Sequence, residues 1–275
     1  MKISVMGCGW LGFPLAQQLL IDGHEVMGST RSEEKYQLLK KNGITPFRIS
    51  IPEDFPECQS SRFWRSETLF LNIPPERGKN NGKNSYSQKI EAVRDVLESS
   101  DSEIGRVIFA SSTSVYPSSE GYYTEDDTEP GNCSRPSGES ILEAETILQN
   151  SEAFDTTILR FGGLYGYERH PVHYMAGRTG ISGPYKPVNL IHQDDCIRIV
   201  RTLLKQEVRS GVYNAVSDGH PPRKTLYQSA ARHFGVTPPQ FDSESESINR
   251  VISNKKLKEE LEFTFTYPNP LDHTG

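Results

Sequence analysis

Nowhere does the chain hold an apolar run near the ~20 residues a membrane-spanning helix needs, so no helical anchor is expected. Cysteine is sparse as well. Cys8, Cys58, Cys133 and Cys196 are scattered without a C-x-x-C pair, which argues against a disulfide frame or a thiolate zinc site. Reduced thiols in the cytoplasm are the expectation. The first strand reads from Lys2, leaving no room for a signal peptide. A basic excess is missing too: 30 Lys and Arg stand against 36 Asp and Glu, for a net charge of -6. Without that excess there is little to displace phosphate counterions, so nucleic acid is not an expected partner. An internal repeat is also absent. Apolar residues make up only 35% of the chain, enough for a core beneath a very polar surface. A chain of 275 residues can form one large domain, or a nucleotide domain with a smaller companion.

What is present is an alternation of strand and helix patterns. Strands are predicted at 2–6, 25–30, 44–49, 68–73, 106–110 and 156–160, with helices at 11–21, 32–41, 85–98 and 137–149 between them. The pattern specifies an α/β chain, a Rossmann-type doubly wound parallel sheet with a small C-terminal substrate lobe. Residues 1–161 form the expected nucleotide domain, and 188–216 return to its sheet. Residues 162–187, rich in Gly, Pro, His and Tyr, join 217–275 as the substrate lobe. The stretch 117–136 reads as a polar loop, with Glu125-Asp-Asp127 as a solvated cluster.

Gly7-Cys-Gly9-Trp-Leu-Gly12 lies between the first strand and the first helix. In a G-x-G-x-x-G loop the first glycine makes the turn and the second admits a pyrophosphate. The third lets helix pack on strand. The helix start then offers free N–H groups and partial positive charge to the phosphates. An NAD-preferring site usually carries an acidic residue at the end of the second strand. Thr30-Arg31 stands there instead, and a guanidinium suits a 2′-phosphate, so NADP is favoured, with NAD the alternative. The expected dinucleotide contacts are Gly7, Gly9, Trp10, Leu11, Gly12, Thr30, Arg31, Ile73, Pro74 and Ser111.

Ala110-Ser-Ser-Thr-Ser-Val-Tyr116 resembles the fifth-strand segment of the extended short-chain dehydrogenase/reductases, the NAD-dependent epimerase/dehydratase group. Leu159-Arg-Phe-Gly-Gly-Leu-Tyr-Gly166, Val188-Asn-Leu-Ile-His-Gln-Asp-Asp195, Gly211-Val-Tyr-Asn-Ala215 and Ile252-Ser-Asn-Lys-Lys-Leu257 follow in the same family's order. The likeness spans nearly the whole chain and is nearest to the atypical, YeeZ-like branch. It implies hydride transfer at a carbinol carbon, often on a nucleotide-linked sugar. Ser112 takes the place of the family's carbonyl-orienting serine.

The resemblance also predicts a Tyr and a Lys four residues apart on the helix after the long loop. Ser137 and Ile141 occupy those places. Neither can do the work: a serine hydroxyl is too weak an acid and isoleucine carries no charge. Tyr36 and Lys40 do have the spacing, but on the helix after the second strand, the adenosine side of the fold. They form a surface coincidence. Tyr116 is the substitute acid with the best position, beside Ser112; Tyr122, Tyr123, Tyr165, His170 and His173 are further candidates. His170-Pro-Val-His173 lacks the spacing and acidic partner of a zinc site, and no metal is expected. His192 reads as a satisfied core histidine, and Asp194 and Asp195 as helix-start residues. Arg160, Arg169, Arg178 and Lys186 are the cations placed to hold an anionic substrate group.

Two functions follow. The first is an NAD(P)-dependent oxidoreductase or epimerase with an atypical site, acting on a small carbonyl or nucleotide-sugar-like substrate. The second is a catalytically silent NAD(P) sensor or regulatory protein. A homodimer through the outer helices is permitted by the pattern but not required.

Overall fold

The computed structural model describes residues 1–51, 61–75 and 83–272, with the backbone alone at 83–85. Cys58 lies outside them. Cys8, Cys133 and Cys196 form no disulfide. No described helix is long and apolar enough to cross a membrane.

The chain opens with β1 (Lys2–Met6), α1 (Gly12–Ile21), β2 (Glu25–Thr30), α2 (Glu33–Lys41) and β3 (Thr45–Arg48). It continues with β4 (Thr68–Leu71), α3 (Lys83–Leu97), β5 (Arg106–Ser112), β6 (Gly121–Tyr123), α4 (Pro136–Gln149) and β7 (Asp155–Phe161). Then come β8 (Gly163–Tyr165), β9 (Leu190–His192), α5 (Gln193–Lys205), β10 (Gly211–Ala215), α6 (Arg223–His233), β11 (Arg250–Ile252) and α7 (Lys255–Glu260). Seven strands build the central sheet in the order β10-β7-β5-β4-β1-β2-β3. β2 pairs with β1 and β3, and β4 with β1 and β5, all parallel. The winding direction reverses between β1 and β4. Open α/β sheets bind ligands beyond the carboxyl ends of the strands at such a point.

Local causes are visible in the packing. Gly12, Leu15, Ala16 and Leu19 repeat at helical spacing and form the buried face of α1. Val26 to Thr30 are all buried, as a strand covered on both faces requires. β4 ends at Leu71, short of the predicted 68–73, although Asn72 N–H still donates to the Met6 carbonyl on β1 at 2.9 Å. β3 is likewise shorter than predicted, at Thr45–Arg48.

Cα proximity sorts the residues into two compact units: Met1–Val115, Arg135–Leu159 and Leu203–Val212 in one, Tyr116–Ser134, Arg160–Thr202 and Tyr213–Gly275 in the other. In the first, Ile3, Val5, Leu15, Phe63, Trp64, Leu69 and Phe109 are fully buried around the sheet. In the second, α6 packs Tyr227, Ala230 and Ala231 against Val172 and Met175. A neighbouring cluster joins Tyr165, Val188, Leu190 and Leu226.

Two expectations are corrected here. The stretch 117–136 is not all loop, because β6 lies in it and pairs parallel with β11, with Tyr122 opposite Val251. A three-residue strand whose partner lies far along the chain leaves no periodic signal to read. Nor do all of residues 188–216 return to the main sheet. β10 does, but β9 pairs with β8 in a separate two-stranded sheet.

Candidate functional site

The glycine loop leaves the carboxyl end of β1 at the switch point. Gly7 has φ of 99°, and a Cβ there would meet the Asn72 carbonyl oxygen at 2.3 Å, so the turn admits only glycine. A Cβ on Gly12 would meet the Gly7 carbonyl oxygen, also at 2.3 Å, which is how closely α1 approaches the turn. Gly9 differs. A Cβ at Gly9 meets nothing within 4 Å, so this residue borders open space. Two glycines are therefore demanded by the protein's own packing, while the middle one is left for something else.

The turn is braced from both sides. Gly7 N–H donates to Ser29 Oγ at 3.0 Å and Cys8 N–H to the Ser29 carbonyl at 3.0 Å. Asn72 Nδ2 donates to the Gly7 carbonyl at 3.2 Å. Beyond the turn the donors run out of partners. The amides of Leu11 and Gly12 make no hydrogen bond among the described residues, and α1 has neither a side-chain cap nor an acidic residue in its first turn. An uncapped helix start with idle N–H groups has the donor set and the charge for a pyrophosphate. The residues fit a dinucleotide. Cys8 is buried against Val5, and burial pushes its thiol up to about 12, so it is packing and not chemistry.

At the end of β2, Thr30 is buried and Arg31 is exposed, and Arg31 makes no ion pair among the described residues. Ile73 is half-buried and Pro74 exposed just past β4. Tyr86 on α3 donates to the Ile73 carbonyl at 2.9 Å, which anchors that strand end. Ser111 is buried on β5, and its hydroxyl donates to Glu145 on α4. Ser112 next to it is half-buried and accepts from the Ser114 N–H at 3.2 Å.

α4 carries the two positions at which the resemblance expects the Tyr/Lys pair. Ser137 is exposed in its first turn and Ile141 is buried, with Ala144, Glu145 and Leu148 on the same face. Ile141 therefore packs as a core residue.

Tyr116 lies in the other unit, and its surroundings do not suit the substitute acid that it was expected to be. Its side chain is fully buried. The hydroxyl donates to Asn214 Oδ1 at 2.6 Å and accepts from the Arg160 guanidinium at 2.8 Å. Burial pushes the phenol up to about 12 although Arg160 pulls it down. A sealed phenol with both roles filled has no open path to a substrate. Arg160 is corrected in the same way, since it is buried and also donates to the Glu125 carbonyl at 2.7 Å. Glu125 itself is no solvated loop residue: it is buried and accepts from the Asn214 N–H at 2.8 Å. The sequence reading missed Asn72, Glu145 and Asn214. Glu145 could have been found, because it follows Ile141 by four residues and so shares its buried face.

The remaining candidates are structural or exposed. His192 is buried, stacked on Tyr267 at 3.7 Å between centroids, and its Nδ1 accepts from the Asp194 N–H at 3.2 Å. Asp195 is fully buried and accepts from the Thr266 and Tyr267 amides, each at 2.9 Å. Tyr122 is exposed and donates to Ser253. Tyr165 is fully buried, and Arg169 and Arg178 are exposed. Among the described residues no group of three or more His, Cys, Asp or Glu could hold a metal ion.

His170 is buried, and its Nδ1 accepts from the Val172 N–H at 3.1 Å. Burial, with His173 and His233 nearby, holds its imidazole down at about 4. An unfolded histidine near 6.5 binds a proton that the folded one refuses. Between those values the unfolded chain carries more protons, so stability falls as pH drops from 6.5 to 4 and levels off below. Urea midpoints across that window should fall less steeply for His170→Phe than for wild type. Equal slopes would show that His170 does not govern the acid limb.

A glycine-braced strand–turn–helix at the switch point of this sheet defines a dinucleotide-binding protein of the Rossmann kind. Residues 3–180 match the NAD dependent epimerase/dehydratase family. Over 275 residues the chain is 33% identical to Protein YeeZ of Escherichia coli (strain K12), across 98% of this chain and 97% of that protein. The chain belongs to the NAD-dependent epimerase/dehydratase family, whose members use a nicotinamide cofactor. Among solved structures it is similar to UDP-glucuronic acid 4-epimerase from Bacillus cereus in complex with NAD. That match has a TM-score of 0.81 at 19% identity, over 100% of this chain and 96% of that one. It is also similar to human epimerase family protein SDR39U1 with NADPH, with a TM-score of 0.75 at 15% identity, covering 100% and 98% of the two chains.

Proposed function

We propose that the chain is an NADP-preferring oxidoreductase or epimerase, acting on a small carbonyl or nucleotide-sugar-like substrate without the family's Tyr/Lys pair. The observation that carries the reading is the set of three glycines. Gly7 and Gly12 are demanded by packing, and Gly9 alone faces free space beside the idle amides of Leu11 and Gly12. Gly7, Gly9, Trp10, Leu11 and Gly12 would hold the pyrophosphate. Thr30 and Arg31 would meet the adenosine ribose, and Ile73, Pro74 and Ser111 would line the remaining length. The nicotinamide, when bound, supplies hydride exchange with a carbinol carbon.

Ser112 serves as the polar anchor that orients the substrate carbonyl. Its neighbour Ser111 is held by Glu145, which keeps the end of β5 in place. NADP is favoured because Arg31 is exposed at the β2 end and makes no ion pair among the described residues. A cytoplasmic protein without a nucleic-acid partner completes the reading, and a homodimer through the outer helices is compatible with it.

A second reading, a catalytically silent sensor, is favoured by buried Ile141 and sealed Tyr116. It expects no turnover on any carbonyl or nucleotide-sugar panel, together with NADPH-dependent affinity for a protein partner. Turnover of any such substrate excludes it.

Calorimetric titration with NADPH and NADH tests the cofactor assignment. Wild type should bind NADPH more tightly by about tenfold, or ~1.4 kcal/mol, and Arg31→Ala should erase the difference. Equal affinities in wild type would remove the assignment.

A further inference from the structure

We propose that Arg48 is a specificity-determining positioning residue, which holds the Glu33 carboxylate engaged so that the β2 end accepts a 2′-phosphate. The proposal rests on the NADP reading above and adds to it a residue on a different strand.

Glu33 opens α2, two residues beyond Arg31, with Ser32 as the helix cap. The chain therefore does carry a carboxylate close to where an NAD-preferring site has one. Left to itself, Glu33 would repel a 2′-phosphate and offer acceptors to the free ribose hydroxyls of NAD. Each of its oxygens faces a partner, one through a hydrogen bond and one through an ion pair. Oε1 accepts from Gln37 Nε2 at 2.7 Å, and Oε2 lies 3.6 Å from Arg48 NH1.

The fold, and not the local sequence, supplies that arginine. Arg48 is the last residue of β3, in register with Thr30 on β2, and the ladder continues as Ile49 N–H donates to the Thr30 carbonyl at 3.2 Å. Neighbouring strands lie about 5 Å apart, so the register sets a third-strand cation beside the residue that precedes Arg31. Lys35, one turn into α2, is near enough to the glycine loop to pull the Cys8 thiol down against its burial. Arg48 thus joins Arg31 as a second cation at the β2 end, with Lys35 in the first turn of α2. Glu33, the acidic residue nearest to it, is tied back along its own helix and across to β3.

The Arg48–Glu33 pair is mostly exposed on both sides, so its effect on stability is slight. Its effect on selectivity would be larger, because a released carboxylate two residues beyond Arg31 would repel a 2′-phosphate held there.

The test is the ratio of NADPH to NADH dissociation constants by calorimetry, for the full chain at low and moderate salt. Arg48→Ala should lower the NADPH preference by about tenfold, and adding Glu33→Gln should restore it to within about twofold of wild type. Unliganded melting temperatures report any folding defect separately. A ratio unchanged in Arg48→Ala, or one that Glu33→Gln fails to restore, overturns the proposal. The underlying reading fails in a different way: wild type then shows no NADPH preference, or keeps it in Arg31→Ala.

Discussion

Substituting the three loop glycines one at a time should separate folding from cofactor binding. Gly7→Ala forces a side chain into φ of 99° and drives its Cβ to 2.3 Å from the Asn72 carbonyl oxygen. Left-handed strain alone amounts to about 1–3 kcal/mol, and the overlap with backbone adds to it, so a large loss of stability is expected. Gly12→Ala meets the Gly7 carbonyl oxygen at 2.3 Å and should push α1 away from the turn, again lowering stability. Gly9→Ala meets nothing within 4 Å. Its unliganded stability should stay within about 0.5 kcal/mol of wild type. Its affinity for NADPH should nevertheless drop by about tenfold or more, because the methyl would enter the space that the proposed reading assigns to the pyrophosphate. Chemical denaturation paired with titration reads both quantities. Full NADPH affinity in a well-folded Gly9→Ala protein would place the dinucleotide elsewhere.

Breaking the buried network around Arg160 should produce the other large effect. Its guanidinium is almost fully buried and donates to the Tyr116 hydroxyl at 2.8 Å and the Glu125 carbonyl at 2.7 Å. Arg160→Met keeps the bulk, removes the charge and leaves those acceptors without their donor. Removing one partner of a buried charged network typically destabilises by about 3–5 kcal/mol. Tyr116→Phe is milder. It takes the donor from Asn214 Oδ1, a loss of about 1–3 kcal/mol. If the packing role of Tyr116 is its only one, Tyr116→Phe lowers the melting temperature and leaves the kcat of the surviving enzyme unchanged. A melting temperature equal to wild type with turnover abolished would return Tyr116 to the chemistry.

These two expectations sit at opposite ends of what a sequence can reveal. The glycine loop was legible because every part of it is local. Gly7, Gly9 and Gly12 lie close together, with a strand before and a helix after, and their spacing can be read without knowing what packs against them. Ser137 and Ile141, where the resemblance expects the Tyr/Lys pair, were legible for the same reason: they stand four residues apart on one helix. Neither the sealing of Tyr116 nor the burial of Glu125 was legible. Tyr116 is fixed by Arg160 and Asn214, which lie 44 and 98 residues further along the chain. The reading of 117–136 as loop failed on β6, whose partner β11 is more than a hundred residues away.

By itself the sequence determined the α/β alternation and the glycine-rich turn between β1 and α1, and it put Ser137 and Ile141 where the resemblance expects a Tyr and a Lys. These depend on short-range periodicity, on backbone sterics and on what a given side chain can chemically do. Only the tertiary structure decided which polar groups are spent internally and which are left over. It placed Arg48 beside the β2 end by strand register and buried Tyr116, the candidate acid close to Ser112, as a core hydroxyl. The physical reason is that burial and hydrogen-bond occupancy belong to pairs of distant residues, and a side chain's identity does not say what will be packed against it.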